Sequence, residues 1–410
     1  MAIVTIVIAG AAAILALPVV SDALCVVRAL WRAWAGSVPP RPVSRASNST
    51  EYPRLLFLVP AHNEEQLIGS CVRSLRALCY PADRSTVVVI ADNCTDRTAA
   101  VARATGASCL ERHDPTFPGK PHAIAWALTQ ATRVTAVSKV ALDAHDAVII
   151  VDADTIVDRD FAAAVASAAP LEHKVLQAYF DVANPQDSSL TRMAAVLAAA
   201  NFRFAYPLKR RAGVNAPLLG NGMCIGTGVL ATYGWKAFTI AEDWELYALY
   251  TTQGVSIEGV EGARLFAQEA CSLDQSSTQR QRWTAGKLTV LFRHLGALLR
   301  SRRIGFCQKL DSAAELSSPG PVVHLGVAAS ASALLGLLHV PGAVWLLVAL
   351  WTPIVRLAAY ALVGLTRQPD PARTAVAFLF LPVYAAWRLA TAVVSLKMVG
   401  DATWVRTTRH

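Results

Sequence analysis

The sequence predicts an α/β fold with a mostly parallel sheet, accompanied by transmembrane and interfacial helices. Three observations carry that prediction. Short apolar runs alternate with helical periodicity through the middle of the chain, the pattern of a parallel sheet covered on both faces. Long uncharged stretches stand at both ends: residues 1–20 carry no charged side chain, 321–365 carry only Arg356 and 374–396 only Arg388. The 410 residues are 54% hydrophobic and 16% charged, too apolar for an ordinary soluble protein.

The first apolar stretch, about 2–21, is long enough to cross a bilayer core of roughly 30 Å. Met1-Ala2-Ile3 lacks the basic start of a signal peptide, so the stretch reads as a retained anchor. Further spans are expected at 320–340, 342–365 and 374–396, with a hairpin at Pro341-Gly342 as the alternative for the middle two. The expected divisions are an anchor and juxtamembrane segment (1–35), a Pro-, Ser- and Arg-rich linker (36–53), a cytosolic domain (54–300), an interfacial helix (301–319), about three C-terminal spans (320–396) and a tail (397–410). Arg28, Arg32, Arg41 and Arg45 follow the first span, which places the N-terminus outside and the middle region in the cytosol of a multi-pass cytoplasmic-membrane protein. Lys397, Arg406 and Arg409 run against that rule if all four spans cross. The net charge of +9 suits anionic membrane lipids better than nucleic acid, since no basic-aromatic binding module is present. Eight cysteines without a C-x-x-C pair read as free thiols in a reducing compartment.

Within the middle region, Leu55–Val59 reads as a buried strand ending at Pro60, and Glu64–Leu78 as a helix. Thr86–Ala91 is a second strand, followed by Asp92-Asn93 and a helix from about Thr95 to Thr105. Ala147–Val151 is a third strand, ending at Asp152-Ala153-Asp154. Ligands of such sheets bind beyond the carboxyl ends of the strands, so Pro60, Asp92 and Asp152 point to one crevice. Helices are expected at Asp187–Leu208, Glu242–Thr252 and Asp274–Leu299, and a turn at Gly220-Asn221-Gly222.

The chemistry lies in short motifs. Asp152 and Asp154 flank one small residue at a strand end, an arrangement that can hold a hard divalent cation and leave positions open for a diphosphate. Lys120, in Pro118-Gly119-Lys120 before a helix, suits an anionic phosphate. Asp92 is placed to bind a base or ribose, or to cap the helix after it. Asp243, beside Glu242 at a helix start, is placed to act as a base; first-turn compensation of the helix dipole is the alternative. Gln279, Arg282 and Trp283 fall at i, i+3 and i+4 on one helix face, where an amide, a guanidinium and an indole suit a pyrophosphate and a sugar ring. A basic amphipathic membrane helix is the alternative for that face. No phosphate-loop or dinucleotide fingerprint occurs.

With these residues in place, roughly residues 54–294 resemble a membrane-bound family 2 glycosyltransferase, the family of cellulose, chitin, hyaluronan and poly-N-acetylglucosamine synthases and of related glycolipid-forming enzymes. The resemblance rests on Val59-Pro60-Ala61-His62-Asn63-Glu64-Glu65, Ala91-Asp92-Asn93-Cys94-Thr95-Asp96, Gly119-Lys120, Asp152-Ala153-Asp154, Gly220-Asn221-Gly222-Met223, Glu242-Asp243 and Gln279 to Trp283. It implies a GT-A-type fold, a UDP-sugar donor, Mg²⁺ or Mn²⁺, and inversion at the anomeric carbon. It implies donor contacts for Pro60, Ala61, Glu64, Asp92, Lys120 and Asp152, and metal binding by Asp154 with Asp152. Asp243 would be the base with Glu242 beside it. Gly222, Gln279, Arg282 and Trp283 would serve the pyrophosphate and acceptor. Ala241 stands where many members have Thr, the turn is not the Cys-Gly pattern of cellulose synthases, and about three C-terminal spans are few for a polymer channel. The leading expectation is extension of a polysaccharide or oligosaccharide, with a partner subunit for export; single-sugar transfer to a lipid acceptor is the alternative.

Overall fold

The structure, a computed structural model, describes residues 2–37, 52–132 and 142–400. Most of the expected linker and the end of the expected tail lie outside the described residues. The chain begins with α1 (Ala2–Trp34). It continues through β1 (Leu55–Ala61), α2 (Ile68–Arg76), β2 (Ser85–Asp92), α3 (Thr98–Ala104), β3 (Ser108–Arg112), α4 (Lys120–Thr132), β4 (Ala147–Ile150), β5 (Ile156–Val157), α5 (Phe161–Ala166) and β6 (Val175–Val182). Next come α6 (Ser189–Ala200), a π-helical segment (Asn201–Ala205), α7 (Tyr206–Ala212), β7 (Met223–Gly226), α8 (Thr227–Tyr233), α9 (Glu242–Thr252) and β8 (Ile257–Ala267). Helices α10 (Leu273–Arg300), α11 (Phe306–Ser317), α12 (Pro321–Leu337), α13 (Ala343–Leu365), α14 (Pro371–Val376) and α15 (Leu381–Ser395) complete it.

The chain packs as two compact units. A sheet unit comprises Pro39–Ala183 and Ala216–Gln268; a helical unit comprises Met1–Val38, Asn184–Asn215 and Glu269–His410. The division differs from a contiguous 54–300 domain, because 184–215 and 269–300 pack among the helices of the second unit.

Among the described residues of the sheet unit, eight strands run in the order β3-β2-β1-β4-β7-β6-β8-β5. Pairs β2/β3, β1/β2, β1/β4 and β6/β8 are parallel; β7 is antiparallel to both its neighbours, and β5 is antiparallel to β8. Every residue of β1 is buried, as a strand covered on both faces requires. Leu55, Phe57 and Val59 pack with Ile68, Val72 and Leu75 of α2 and with Phe161 of α5. Each such side chain contributes about 1.5–3 kcal/mol. Pro60 lies past the last β1–β4 pair, Leu58 with Ile150, so its missing N–H breaks no bond on that side. Asn63 and Asn93 turn the chain out of β1 and β2 with φ of 54° and 50°, a region Asn tolerates better than most residues.

Among the described residues of the helical unit, three helices are long and apolar enough to cross a membrane: Ala2–Trp34, Ala343–Leu365 and Pro371–Met398. The first runs well past the expected end near residue 21. The expected span at 320–340 is α12, bent by 72° from α11 at Ser318-Pro319-Gly320; the pair counts as a fourth only if taken together. Its 17 residues reach only about 26 Å at 1.5 Å per residue. Ile8, Ala12 and Leu15 of α1 pack with Ala328, Ala331 and Leu335 of α12 and Leu350 of α13. Arg356 donates through Nε to Asp22 Oδ2 at 2.6 Å, and the Tyr360 hydroxyl donates to the same oxygen at 2.8 Å, so that arginine is ion-paired between α13 and α1.

Candidate active site

The carboxyl ends of β1, β2 and β4 bring their loops together, as sheet topology demands. The β1 and β2 loops are tied by side chains. Asn63 Oδ1 accepts from Thr95 N–H at 2.7 Å, Thr98 Oγ1 accepts from Glu64 N–H at 2.8 Å, and Asp96 Oδ2 accepts from Glu65 N–H at 3.1 Å. Pro60 and Ala61 are buried at the end of β1, and Glu64 is half-buried in the loop after it.

Asp92 is 4% exposed. One of its oxygens accepts from Arg112 Nη1 at 2.6 Å and the other from Gly119 N–H at 3.1 Å. Arg112 also reaches Asp114 at 2.8 Å and the Phe117 carbonyl at 2.8 Å. Asp92 therefore anchors the turn that delivers Lys120, whereas the sequence suggested a direct contact to base or ribose. Arg112 and Asp114 escaped the sequence reading because nothing in their spacing marks them as the partners of Asp92.

Lys120, the first residue of α4, stands at the centre of the acidic cluster. Its Nζ donates to Asp152 Oδ1 at 2.6 Å and to the Gly220 carbonyl at 2.7 Å, and lies 3.3 Å from Glu242 Oε1. Burial pulls its pKa down, but the opposing pull of Asp152 and Glu242 is greater and holds it above the ordinary lysine value. Asp243 is half-buried beside Glu242. Burial first, then the Glu242 charge, push its carboxyl up to about 7. Trp244 N–H donates to Asp243 Oδ1 at 2.8 Å. Two residues further on, Glu245 Oε2 accepts from the N–H groups of Phe238 and Thr239, both at 2.8 Å, and so fixes the approach to α9.

The turn Gly220-Asn221-Gly222 closes the cluster from the β7 side. Asn221 is buried; its Oδ1 accepts from Asp152 N–H at 3.2 Å and its Nδ2 donates to Thr155 Oγ1 at 2.8 Å. It thus orients the Asp152–Thr155 turn, a part the sequence did not assign to it. Gly220 faces the reactive groups: a Cβ there would lie 3.3 Å from Asp243 Oδ2 and 3.6 Å from Lys120 Nζ. Gly222, expected on the acceptor side, is instead turned into the sheet. A Cβ on it would meet Leu265 Cδ2 at 2.5 Å and Ala178 Cβ at 2.7 Å. Both glycines have φ above +70°, a region that disfavours any side chain.

Asp152 and Asp154 both act on the buried Cys71 thiol beneath their turn, which burial first and then these two charges push up to about 12. Among the described residues no group of three or more His, Cys, Asp or Glu could hold a metal ion by itself. Two hard oxygen donors, with one Asp152 oxygen taken by Lys120, fit Mg²⁺ or Mn²⁺ in a mode completed by substrate phosphates and water. Gln279, Arg282 and Trp283 belong to the helical unit, on α10. There the Arg280 guanidinium stands 4.8 Å from the Trp283 ring centre, and Arg280 also pairs with Glu269 at 3.1 Å.

A family model described as Glycosyltransferase like family 2 matches residues 53–286. The chain is similar to the β-monoglucosyldiacylglycerol synthase of Synechocystis sp., 30% identical over 221 residues, which are 53% of this chain and 44% of that protein. It is similar to a probable glycosyltransferase of Bacillus subtilis, YdaM, 24% identical over 265 residues, which are 62% of this chain and 60% of that protein. The chain thus matches less than two thirds of the length of either relative. In fold it is similar to the mannosyltransferase PcManGT from Pyrobaculum calidifontis, solved in complex with GDP-Man and Mn²⁺: 20% identity, a TM-score of 0.51, and coverage of 93% of this chain and 99% of that one.

Proposed function

The chain belongs to glycosyltransferase family 2, and from that premise we propose that it moves one sugar from a nucleotide-sugar, by the family resemblance a UDP-sugar, to a hydroxyl of a membrane lipid. The observation that carries transfer is the cluster of Lys120, Asp152 and Glu242 with Asp243 against Gly220. Asp243 takes the proton of the acceptor hydroxyl, that oxygen bonds to the anomeric carbon from the face opposite the phosphate, and the bond to the diphosphate breaks with its electron pair on the phosphate. Lys120 offsets charge on that leaving group. Glu242, 8% exposed and ion-paired to Lys120, positions the lysine and raises the Asp243 pKa rather than acting as a second base. Asp152 and Asp154 would hold Mg²⁺ or Mn²⁺, which supplies positive charge to the diphosphate. Pro60, Ala61 and Glu64 form the nucleoside side, with Asp92 acting through Gly119. Gln279, Arg282 and Trp283 are assigned to pyrophosphate and acceptor on their residue types. The apolar helices would hold the protein in the cytoplasmic membrane, with the N-terminus outside and the transferase region in the cytosol.

The lipid acceptor is preferred to a growing polysaccharide for two reasons. One relative is named for a glucosylated diacylglycerol, and among the described residues the three or four candidate spans are fewer than the expectation for a polymer channel. The Gln-x-x-Arg-Trp face serves either acceptor and does not choose between them. The test is incubation of the purified full chain with a panel of nucleotide-sugars and either diacylglycerol or oligosaccharide. A lipid heavier by one sugar is expected. A polymer in the aqueous fraction would reverse the choice of acceptor, and no turnover of any nucleotide-sugar by folded protein would remove the transferase reading.

A further inference from the structure

Between Asp274 and Asp311 the sequence contains no Asp or Glu but eight Lys or Arg, so this one segment accounts for nearly all of the chain's net charge of +9. It forms most of α10, the turn after it and the start of α11. Val290 and Leu298 of α10 and Gln308 of α11 are buried. The outward side is unusual in two respects. Phe292 is 73% exposed, Phe306 71% and Leu299 44%. Arg293, Arg300, Arg302 and Arg303 are exposed beside them. Phe292 and Leu299 are seven residues apart on one helix stripe, and Arg293 and Arg300 form the adjacent stripe, so apolar and cationic groups run side by side to the α11 start.

Water serves neither component well. Exposed phenyl rings lose the hydrophobic gain of burial, and close like charges repel. A surface that is both anionic and apolar beneath its charges satisfies both. We propose that the α10–α11 corner is a docking surface for anionic phospholipids, with Phe292, Leu299 and Phe306 entering the boundary of the acyl layer and the four arginines holding headgroup phosphates. The inference rests on the membrane location proposed above and assigns the preference for anionic lipid, which the net charge only suggests, to one corner and named residues. Nucleic acid would satisfy the arginines, but the exposed Phe292 and Leu299 of α10 and Phe306 at the start of α11 favour a bilayer.

The test is the full chain in nanodiscs of equal parts phosphatidylglycerol and phosphatidylcholine, with the lipids retained after mild detergent extraction counted by native mass spectrometry. The parent should retain phosphatidylglycerol over phosphatidylcholine by about tenfold or more, since each arginine at an anionic surface contributes about fivefold. Arg293→Gln with Arg300→Gln, Arg302→Gln and Arg303→Gln should bring the ratio near parity. Phe292→Ser with Phe306→Ser should reduce retention of both lipids and leave their ratio unchanged. If the fourfold variant does not fold, Arg302→Gln with Arg303→Gln, both in the turn, should lower the ratio severalfold. An unchanged ratio in the arginine variants overturns the proposal. So does parity in the parent together with tight binding of a short RNA, which would make the corner a polyanion site. Because bound lipid is counted without sugar transfer, failure of the transferase reading would leave this result intact, and donor hydrolysis measured alongside separates the two.

Discussion

A methyl group placed on Gly220 would enter the reacting cluster. The residue has φ +74°, and an added Cβ would stand 3.3 Å from Asp243 Oδ2 and 3.6 Å from Lys120 Nζ. For alanine the left-handed backbone costs roughly 1–2 kcal/mol. The Asp243 carboxylate can yield by a few tenths of an ångström, so the steric part adds little to the loss of stability. Catalysis is more sensitive: a 1 Å displacement of reacting groups costs on the order of 10²-fold, so a shift of a few tenths should lower turnover about tenfold. Gly222→Ala, two residues away, should behave oppositely. Its Cβ would meet Leu265 and Ala178 at 2.5 and 2.7 Å, and strain plus overpacking should cost about 2–5 kcal/mol. Turnover with saturating donor and thermal melting in detergent measure the two quantities. Gly220→Ala at the parent turnover, or Gly222→Ala as stable as Gly220→Ala, would refute the division between a catalytic and a packing glycine.

Asp243→Asn should lower transfer by about 10²–10⁴-fold while donor affinity, read by calorimetry, stays near the parent's. Because the Asp243 pKa is raised to about 7 and a base works only when deprotonated, kcat/KM should fall as pH drops through that value and level off above it. Glu242→Gln removes a raising charge and should move this limb to lower pH, while a limb that stays put would detach Glu242 from Asp243. Asp154→Ala should abolish stimulation by Mg²⁺ or Mn²⁺ in a metal titration, and full parent activity in excess chelator would count against a metal at this turn. Trp283→Ala should lower transfer to the acceptor while donor hydrolysis to water persists; equal loss of both, with loss of stability in detergent, would assign the indole to anchoring α10.

The parts of the fold that the sequence disclosed are those where one physical demand dominates. Leu55–Val59, Thr86–Ala91 and Ala147–Val151 are, but for Thr86, apolar because both faces are covered, and they correspond to β1, β2 and β4. The helix expected at Glu242–Thr252 is α9 as drawn, its start marked by acidic residues in the first turn. The half of the sheet beyond β4 was not legible. Strand β8 carries Glu258, Glu261 and Arg264 with two glycines, and its pairing with β6 skips from Val260 to Arg264, so no period of two survives in the sequence. The expected helix over Asp187–Leu208 breaks at the π-helical residues Asn201–Ala205, which the apolar pattern does not foreshadow. At the site, the individual acidic residues and Lys120 stand out in the sequence, but their joining does not. It depends on Asn221 and Gly220, small groups whose meaning comes from a left-handed turn, and on Arg112, which is visible only once β3 pairs with β2.

A donor diphosphate, a cation and this cluster act on one another through charge. Lys120 is one positive charge, already engaged at 2.6 Å by Asp152 and 3.3 Å by Glu242. Asp154 adds a further negative charge, and Asp243 another once pH exceeds its raised pKa. A diphosphate arriving here meets a net negative site. At an effective dielectric of about 20, each unlike or like pair at about 4 Å is worth roughly 4 kcal/mol, so one lysine cannot offset several such repulsions. A divalent cation on Asp152 and Asp154 would reverse the sign of the site on the phosphate side and leave Lys120 free to exchange a carboxylate for a phosphate oxygen. The Glu242 charge falls on Asp243 as well as on Lys120, and a raised pKa at Asp243 is what a proton acceptor at neutral pH requires.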